Sequence, residues 1–194
     1  MELQHVNVKL HIPASGAAPD LTPLIPVFHG WIQGQVFGDL LLDVADYRHV
    51  PGGPGIIVIG QDGDYSVDQA GNRLGVRYNR KSPLAGGNQD RLRQAVRAAL
   101  TAAQRLESDP ALDGKFRFGG REIELFINDR FLAPNTDATR AAAQPDLDTF
   151  LRKLFKGSEF SLSFDQDPRR LLTVSAKSAK PFQASELLSS LNVS

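Results

Sequence analysis

The chain has 194 residues and no net charge at pH 7; 41% of its residues are hydrophobic and 23% are charged. This composition is typical of globular proteins and lacks the basic excess of nucleic-acid-binding proteins, so nucleic acid is not an expected partner. Because cysteine is absent, disulfides, thiolate metal sites and cysteine nucleophiles are excluded.

The N-terminal segment shows no signal peptide, since it lacks a basic region followed by an apolar one. The longest apolar runs, such as GIIVIG, are far shorter than the ~20 residues that cross a bilayer. We therefore expect a cytoplasmic protein that has no membrane partner.

The first elements are short. Residues 3–12 alternate between polar and apolar side chains, which predicts a half-buried strand ended by the small-residue run 14–19. Asp20 is the expected N-cap of a short helix. The apolar runs Leu40–Ala45 and Gly55–Gly60 predict two strands that are covered on both faces.

The middle of the chain gives the strongest patterns. Tyr65–Gln69 and Leu74–Arg80 predict a β-hairpin, because Ala70-Gly71-Asn72 between them is a typical turn sequence. Residues 89–106 predict a helix with one apolar stripe and abundant alanine. The segment Ser108–Gly114 is a plausible joint between two halves of the chain.

The second half predicts strands at Lys115–Phe118 and Glu122–Asn128, then a linker over 134–145 and a helix from Asp146 to Lys156. The alternation of Phe160–Phe164 begins a second hairpin. The return strand of this hairpin is predicted over Leu171–Lys177. A final helix is predicted around Leu187, Leu188 and Leu191.

These elements predict an α+β fold, with a mostly antiparallel sheet of about nine strands covered by three or four helices. One domain spans the chain in this interpretation. Two subdomains, 1–108 and 115–194, are the alternative.

Charge is distributed unevenly along the chain. Residues 1–69 carry eight acidic and two basic side chains, whereas residues 73–105 carry eight basic and one acidic. The simplest expectation is that the two segments pack together and neutralise each other. The alternative is an anion-binding or nucleic-acid-binding surface that uses Arg77, Arg80 and Lys81, because guanidinium and ammonium groups bind phosphate and carboxylate.

The loop from Asp43 to His49 is the other candidate site. Asp46, Tyr47 and His49 are candidate ligand-binding residues, because polar side chains in a stiff loop between core strands often form a site. On an extended strand Tyr47 and His49 share a face, which is the basis for the alternative of an enzyme at this loop.

Carboxylates and imidazole suit divalent metal ions, and six residues offer these groups: Asp43, Asp46, His49, Asp62, Asp64 and Asp68. If the two strands around the loop are antiparallel, however, Asp46 lies far from Asp62. The sequence therefore assigns no metal ligands, no catalytic residues and no cofactor.

The leading functional hypothesis is a non-catalytic module that binds a small ligand or a partner protein, or that forms a homo-oligomer. An enzyme at the Asp43–His49 loop is one alternative, and a protein that binds an anion or nucleic acid through Arg77, Arg80 and Lys81 is the other.

Overall fold

The computed structural model describes residues 1–13 and 19–192, which form one eight-stranded sheet and four α-helices. The strands are β1 (Val6–His11), β2 (Leu41–Tyr47), β3 (Gly55–Gly60), β4 (Gly63–Asp68), β5 (Gly75–Arg80), β6 (Gly119–Ile127), β7 (Phe160–Phe164) and β8 (Leu172–Gln183). The helices are α1 (Leu24–Gln33), α2 (Asn88–Ser108), α3 (Asp137–Leu154) and α4 (Ala184–Leu191).

The strands lie in the order β2-β3-β4-β5-β1-β6-β8-β7, and every neighbouring pair is antiparallel. The predicted α+β class is confirmed, and the number of strands is close to the predicted nine. Because β1 pairs with both β5 and β6, the sheet joins strands from both sides of the predicted joint. The division into one domain or two subdomains stays a prediction.

The helices cover one face of the sheet. Val8, Tyr78 and Leu125 lie opposite one another on β1, β5 and β6, and all three are buried there. Gln94 of α2 donates a hydrogen bond to Tyr78 Oη, and Trp31 of α1 packs edge-on against the ring of Tyr65. The apolar core therefore lies between this face and the helices. Among the described residues no helix is both long and apolar enough to cross a membrane.

The strongest sequence patterns are confirmed. β1 lies within the predicted strand, and α2 contains the whole of the predicted helix 89–106. The hairpin β4–β5 turns at Gly71 and Asn72, which adopt φ values of 66° and 58°. Glycine and asparagine accept this left-handed conformation most readily, which is why the turn was visible in the sequence. Residues 14–18, part of the run predicted to end the first strand, lie outside the described residues.

The prediction that β2 is covered on both faces was wrong. β2 is the first strand of the sheet order, so within residues 1–13 and 19–192 one of its edges has no strand neighbour. Leu42 is 55% exposed and Tyr47 is 40% exposed. β3 is also an apolar run, but it has a strand on each side and is largely buried. An apolar run alone therefore does not distinguish an edge strand from an interior one.

The predicted strand Lys115–Phe118 was also wrong. Phe116 and Phe118 are buried, but they belong to an irregular segment before β6, and the Phe118 N–H donates to the carboxylate of Glu107. Two aromatic side chains at alternate positions are therefore buried in the core although their segment is not a strand.

Helix boundaries moved as well. The predicted linker 134–145 is largely helical, because α3 begins after its N-cap Thr136 and continues through Pro145. Ala143 and Leu147 are buried on either side of the proline, so tertiary packing outweighs the missing N–H. Asp20 is not the cap of α1: Pro23 is, and Asp20 instead accepts a hydrogen bond from the Thr22 N–H.

Candidate functional site

The face of the sheet opposite the helices is polar. Residues that lie directly opposite on antiparallel strands point to the same side, and the register places ten polar side chains together on the central strands: Asn7, Lys9, His11, Asp64, Ser66, Asp68, Arg77, Asn79, Glu122 and Glu124. Asn7, Lys9, Ser66 and Asp68 are each at most 2% exposed. Polar groups buried to this degree normally have specific partners.

Lys9 and Asp68 form an ion pair at the centre of this face. The Lys9 ammonium lies 2.6 Å from Asp68 Oδ1 and also donates to the carbonyl oxygens of Arg73 (2.7 Å) and Ala70 (3.4 Å). These bonds use all three donors of the ammonium. They also hold the connection between β4 and β5 over one end of the face, which explains why both side chains are buried.

A cavity of about 680 Å³ opens beside this ion pair. Its walls come from β4, β5, β1 and the loop between β2 and β3, where Gly52, Gly53 and Pro54 contribute. The three predicted anion-binding residues, Arg77, Arg80 and Lys81, all line this one cavity.

Two of these three cations have carboxylate neighbours. Lys81 Nζ lies 2.8 Å from Asp64 Oδ1, and Arg80 Nη2 lies 4.0 Å from Asp62. Both pairs connect the acidic segment 1–69 with the basic segment 73–105. Contact between the two charge segments, the simplest expectation from the sequence, is therefore present.

Arg77 differs from the other two cations. Its Nε donates to Asn79 Oδ1 at 2.8 Å, and its guanidinium lies 4.4 Å from the centroid of the Phe126 ring. No carboxylate within the described parts of the chain forms an ion pair with it. Burial lowers the pKa of Arg77, although the negative charges of Asp68 and Glu124 act in the opposite direction. Arginine nevertheless stays protonated in proteins, so a largely buried positive charge faces the cavity without a counter-ion.

Ser66 lies beside Arg77 and is also unsatisfied. The two residues are directly opposite each other on β4 and β5, and both line the cavity. The Ser66 hydroxyl is buried and has no hydrogen-bond partner among residues 1–13 and 19–192. An unpaired guanidinium and an unpartnered hydroxyl thus lie together in one cavity, where a ligand with acceptor atoms would satisfy both.

A second cluster lies at the other end of the polar face. His11 Nε2 is 2.9 Å from Glu124 Oε2, and Arg73 Nη1 lies 2.9 Å from Glu122 Oε1 and 3.3 Å from Glu124 Oε1. Burial acts to raise the pKa values of the two glutamates, but their contacts with Arg73 and His11 outweigh it, so both pKa values are lowered. Ser175 Oγ donates to Glu122 Oε1 at 2.7 Å and fixes that carboxylate.

Sequence reasoning missed this cluster. None of its three residues is among the metal-ligand candidates that the sequence indicates. Glu122 and Glu124 occupy alternate positions of β6, a pattern that puts two carboxylates on one face. That alternation was the available signal, but the pairing of β6 with β1 is not visible in the sequence.

The structure places the predicted loop residues at the surface. Arg48 binds Asp46 through Nε (3.0 Å) and Nη2 (2.6 Å), and this hydrogen bonding lowers the pKa of Asp46 to about 2. The rings of Tyr47 and His49 stack at 6.3 Å between centroids. Tyr47 lines a separate cavity of about 510 Å³, whose lining includes neither Asp46 nor His49. Their role in ligand binding stays a prediction.

The acidic residues considered for a metal lie apart, as the antiparallel arrangement of β2 and β3 implies. Asp46 lies near the end of β2 that meets the start of β3, and Asp62 follows the far end of β3. Asp64 and Asp68 are engaged in the ion pairs with Lys81 and Lys9.

The polar face therefore contains two clusters of different chemistry, one with an unpaired cation and one with a histidine and two carboxylates. No protein-family model, curated protein or solved structure matches the chain. What the two clusters can bind follows from their own geometry.

Proposed function

We propose that the protein is a non-catalytic binding module that holds a small anionic ligand, a carboxylate or a phosphate, in the cavity lined by Arg77, Arg80 and Lys81. The observation that carries this proposal is the unpaired charge of Arg77 at the cavity wall. Buried charges in proteins are normally paired, because an isolated charge loses its hydration without compensation.

An anion would supply the missing partner of Arg77. A guanidinium binds carboxylate or phosphate through two parallel hydrogen bonds, and such charge-assisted bonds are about twice as strong as neutral ones. The neighbouring Ser66 hydroxyl adds a further donor to the same ligand. Because Arg77 is already largely buried without an anion, much of its desolvation has occurred before the ligand binds.

The dimensions and the other cations of the cavity agree with a small ligand. Its volume of about 680 Å³ falls within the range of small-molecule sites, about 300–1,000 Å³. Lys81 adds positive potential beside Arg77, although its neighbour Asp64 offsets part of it. The acid–base pair suggested by the sequence, Tyr47 and His49, lies outside this cavity, which favours binding over catalysis.

Isothermal titration calorimetry and thermal shift against inorganic phosphate, adenosine monophosphate and succinate test this proposal. A ligand at ~100 times its dissociation constant stabilises the native state by about 2.7 kcal/mol, which a melting curve resolves. We expect at least one of these anions to bind wild-type protein, and Arg77→Met to weaken that anion at least about tenfold. Arg121→Met, at an exposed arginine of β6, is the matched control and retains binding.

Two results would contradict the proposal. One is that none of the three anions stabilises the wild-type protein at millimolar concentration. The other is that Arg77→Met binds the anion as tightly as wild type does.

A further inference from the structure

The second cluster on the polar face has the composition of a metal site. His11 is the last residue of β1, and Glu122 and Glu124 are two apart on the neighbouring strand β6, so all three side chains lie on the same side of the sheet. One ligand atom from each residue lies within 4.8 Å of the other two. Imidazole nitrogen and carboxylate oxygen are the donor types that Zn²⁺ and related divalent ions accept.

His11 lacks one of the two hydrogen bonds that a buried histidine normally makes. Its side chain is 9% exposed, and in the described portion of the chain Nδ1 has no hydrogen-bond partner. Nε2 lies 2.9 Å from Glu124 Oε2. A buried polar group without a partner is rare enough to require an explanation, and a metal ion between His11 and the carboxylates supplies one.

The charges around the cluster favour an added cation. Two carboxylates face a single full positive charge, the guanidinium of Arg73, and this side chain is 42% exposed. Arg73 lies in the connection between β4 and β5, from which its side chain can turn to solvent when another cation replaces it. The hydrogen bond from Ser175 orients Glu122, and metal-binding carboxylates are commonly held by such outer contacts.

The distances require only a small adjustment. Ligands at about 2.0–2.2 Å from a tetrahedral zinc ion lie roughly 3.4 Å apart, so two atoms at the 4.8 Å limit must approach each other by about 1.4 Å. Rotation of the glutamate side chains covers this movement. Three protein ligands leave one coordination position for water or another ligand.

We propose that His11, Glu122 and Glu124 bind a divalent first-row transition metal such as Zn²⁺, and that Arg73 is the counter-ion that the metal displaces. The site differs from the anion cavity in its residues and in the charge of its ligand. It does not depend on the function proposed for that cavity.

Titration of chelator-treated protein with Co²⁺, whose visible absorption reports ligation, followed by displacement with Zn²⁺, tests the site. We expect one equivalent to bind wild type, and His11→Gln to bind at least about tenfold more weakly. His29→Gln, which changes an exposed histidine of α1, is the matched control and binds as wild type does. Equal Co²⁺ affinity in His11→Gln and wild type, or no saturable binding to wild type, overturns the proposal.

Arg73→Ala provides a second test that does not require a change in the buried histidine. Removal of the competing guanidinium is expected to make Co²⁺ bind several-fold more tightly, because the two carboxylates are then free. Circular dichroism and the melting temperature establish that each variant is folded. Unchanged or weaker binding in folded Arg73→Ala overturns the assignment of Arg73 as the displaced counter-ion, and with it the proposed site.

Discussion

Along the central strand β1, the two faces of the sheet are buried to a similar degree by different means. On β1, Val8 and Leu10 pack under the helices, while Lys9 and His11 point to the opposite face, and all four are at most 8% exposed. Burial of the first pair removes apolar surface from water, which is favourable without any particular partner. Burial of the second pair is favourable only where each charge and each hydrogen-bonding atom finds a partner.

This difference separates stability from function. A well-packed apolar pair would be at least as stable as the buried ions of the polar face, since ion pairs recover little more than their desolvation. Among the described residues the polar face also leaves three groups without a full set of partners. The guanidinium of Arg77 has no ion pair, and Ser66 Oγ and His11 Nδ1 have no hydrogen-bond partner. Groups that weaken the fold and converge on one face are the groups expected to contact a ligand.

Lys9→Met should have the largest effect, because it breaks the polar face at its centre. The substitution leaves Asp68 buried without a cation, and we expect the free energy of unfolding to fall by about 3–5 kcal/mol. Urea denaturation measures the loss. The double variant Lys9→Met/Asp68→Leu should recover most of it, because no buried charge then remains unpaired; a double variant as unstable as the single one would contradict this explanation.

Leu125→Ala tests the apolar face at the residue next to Glu124. Leu125 is fully buried opposite Val8, so we expect a loss of about 2–5 kcal/mol from lost apolar burial and the cavity left behind. The conservative change Leu125→Met should cost less than about 1.5 kcal/mol, since non-directional packing tolerates a side chain of similar volume. Urea denaturation measures the free energy of unfolding of both variants. If Leu125→Met loses as much as Leu125→Ala, the packing of the apolar face depends on particular partners as the polar face does.

Arg77→Met should have little effect on stability, in contrast to Lys9→Met on the same face. Arg77 forms no ion pair with the part of the chain that the structure describes, so in anion-free buffer we expect the free energy of unfolding to change by less than about 0.5 kcal/mol or to increase. Arg91→Met is the comparison, because Arg91 is buried and donates to Glu2 and to the Leu84 carbonyl. Its loss should reach about 1–3 kcal/mol. Equal losses in the two variants would show that Arg77 is paired in solution.

The sequence predicted the local elements of this fold better than their pairing. The strand β1, the helix α2 and the hairpin β4–β5 rest on periodicity and turn residues within a short stretch, and all three were predicted. The edge position of β2 was not, because it depends on which strands pair across the whole sheet. The prediction of a strand at Phe116 was wrong for a similar reason. Buried side chains at alternate positions give the same sequence pattern whether or not the segment pairs with another strand.

The candidate sites divide in the same way. Arg77, Arg80 and Lys81 are neighbours on β5 and just after it, so their clustering was visible, although the lack of a counter-ion at Arg77 was not. The cluster of His11 with Glu122 and Glu124 exists only because β1 pairs with β6, more than 100 residues later. Contacts between distant strands are decided by the topology, and no local pattern in the chain specifies them.

Asp39→Asn should have the smallest effect on stability. It tests a carboxylate near the apolar face, for comparison with Glu122 and Glu124 on the polar face. Asp39 precedes β2 near Tyr65 and Tyr78 of the apolar face, and burial raises its pKa above the usual 3.8, although Arg80 opposes the shift. A raised pKa means that the charged form is less stable in the folded state. The penalty is therefore absent below pH 3.8 and present in full above the folded pKa.

At pH 7 we thus expect Asp39→Asn to raise the melting temperature slightly, by no more than about 2 °C, and at pH 3 to leave it unchanged. Asp113→Asn, at a side chain that is 84% exposed, is the control for the loss of one negative charge. Glu122 and Glu124 show the opposite shift, because Arg73 and His11 lie beside them. No gain for Asp39→Asn at pH 7 beyond that of Asp113→Asn would mean that the Asp39 carboxylate is hydrated like a surface group. A gain of equal size at both pH values would mean that its charge is not the cause.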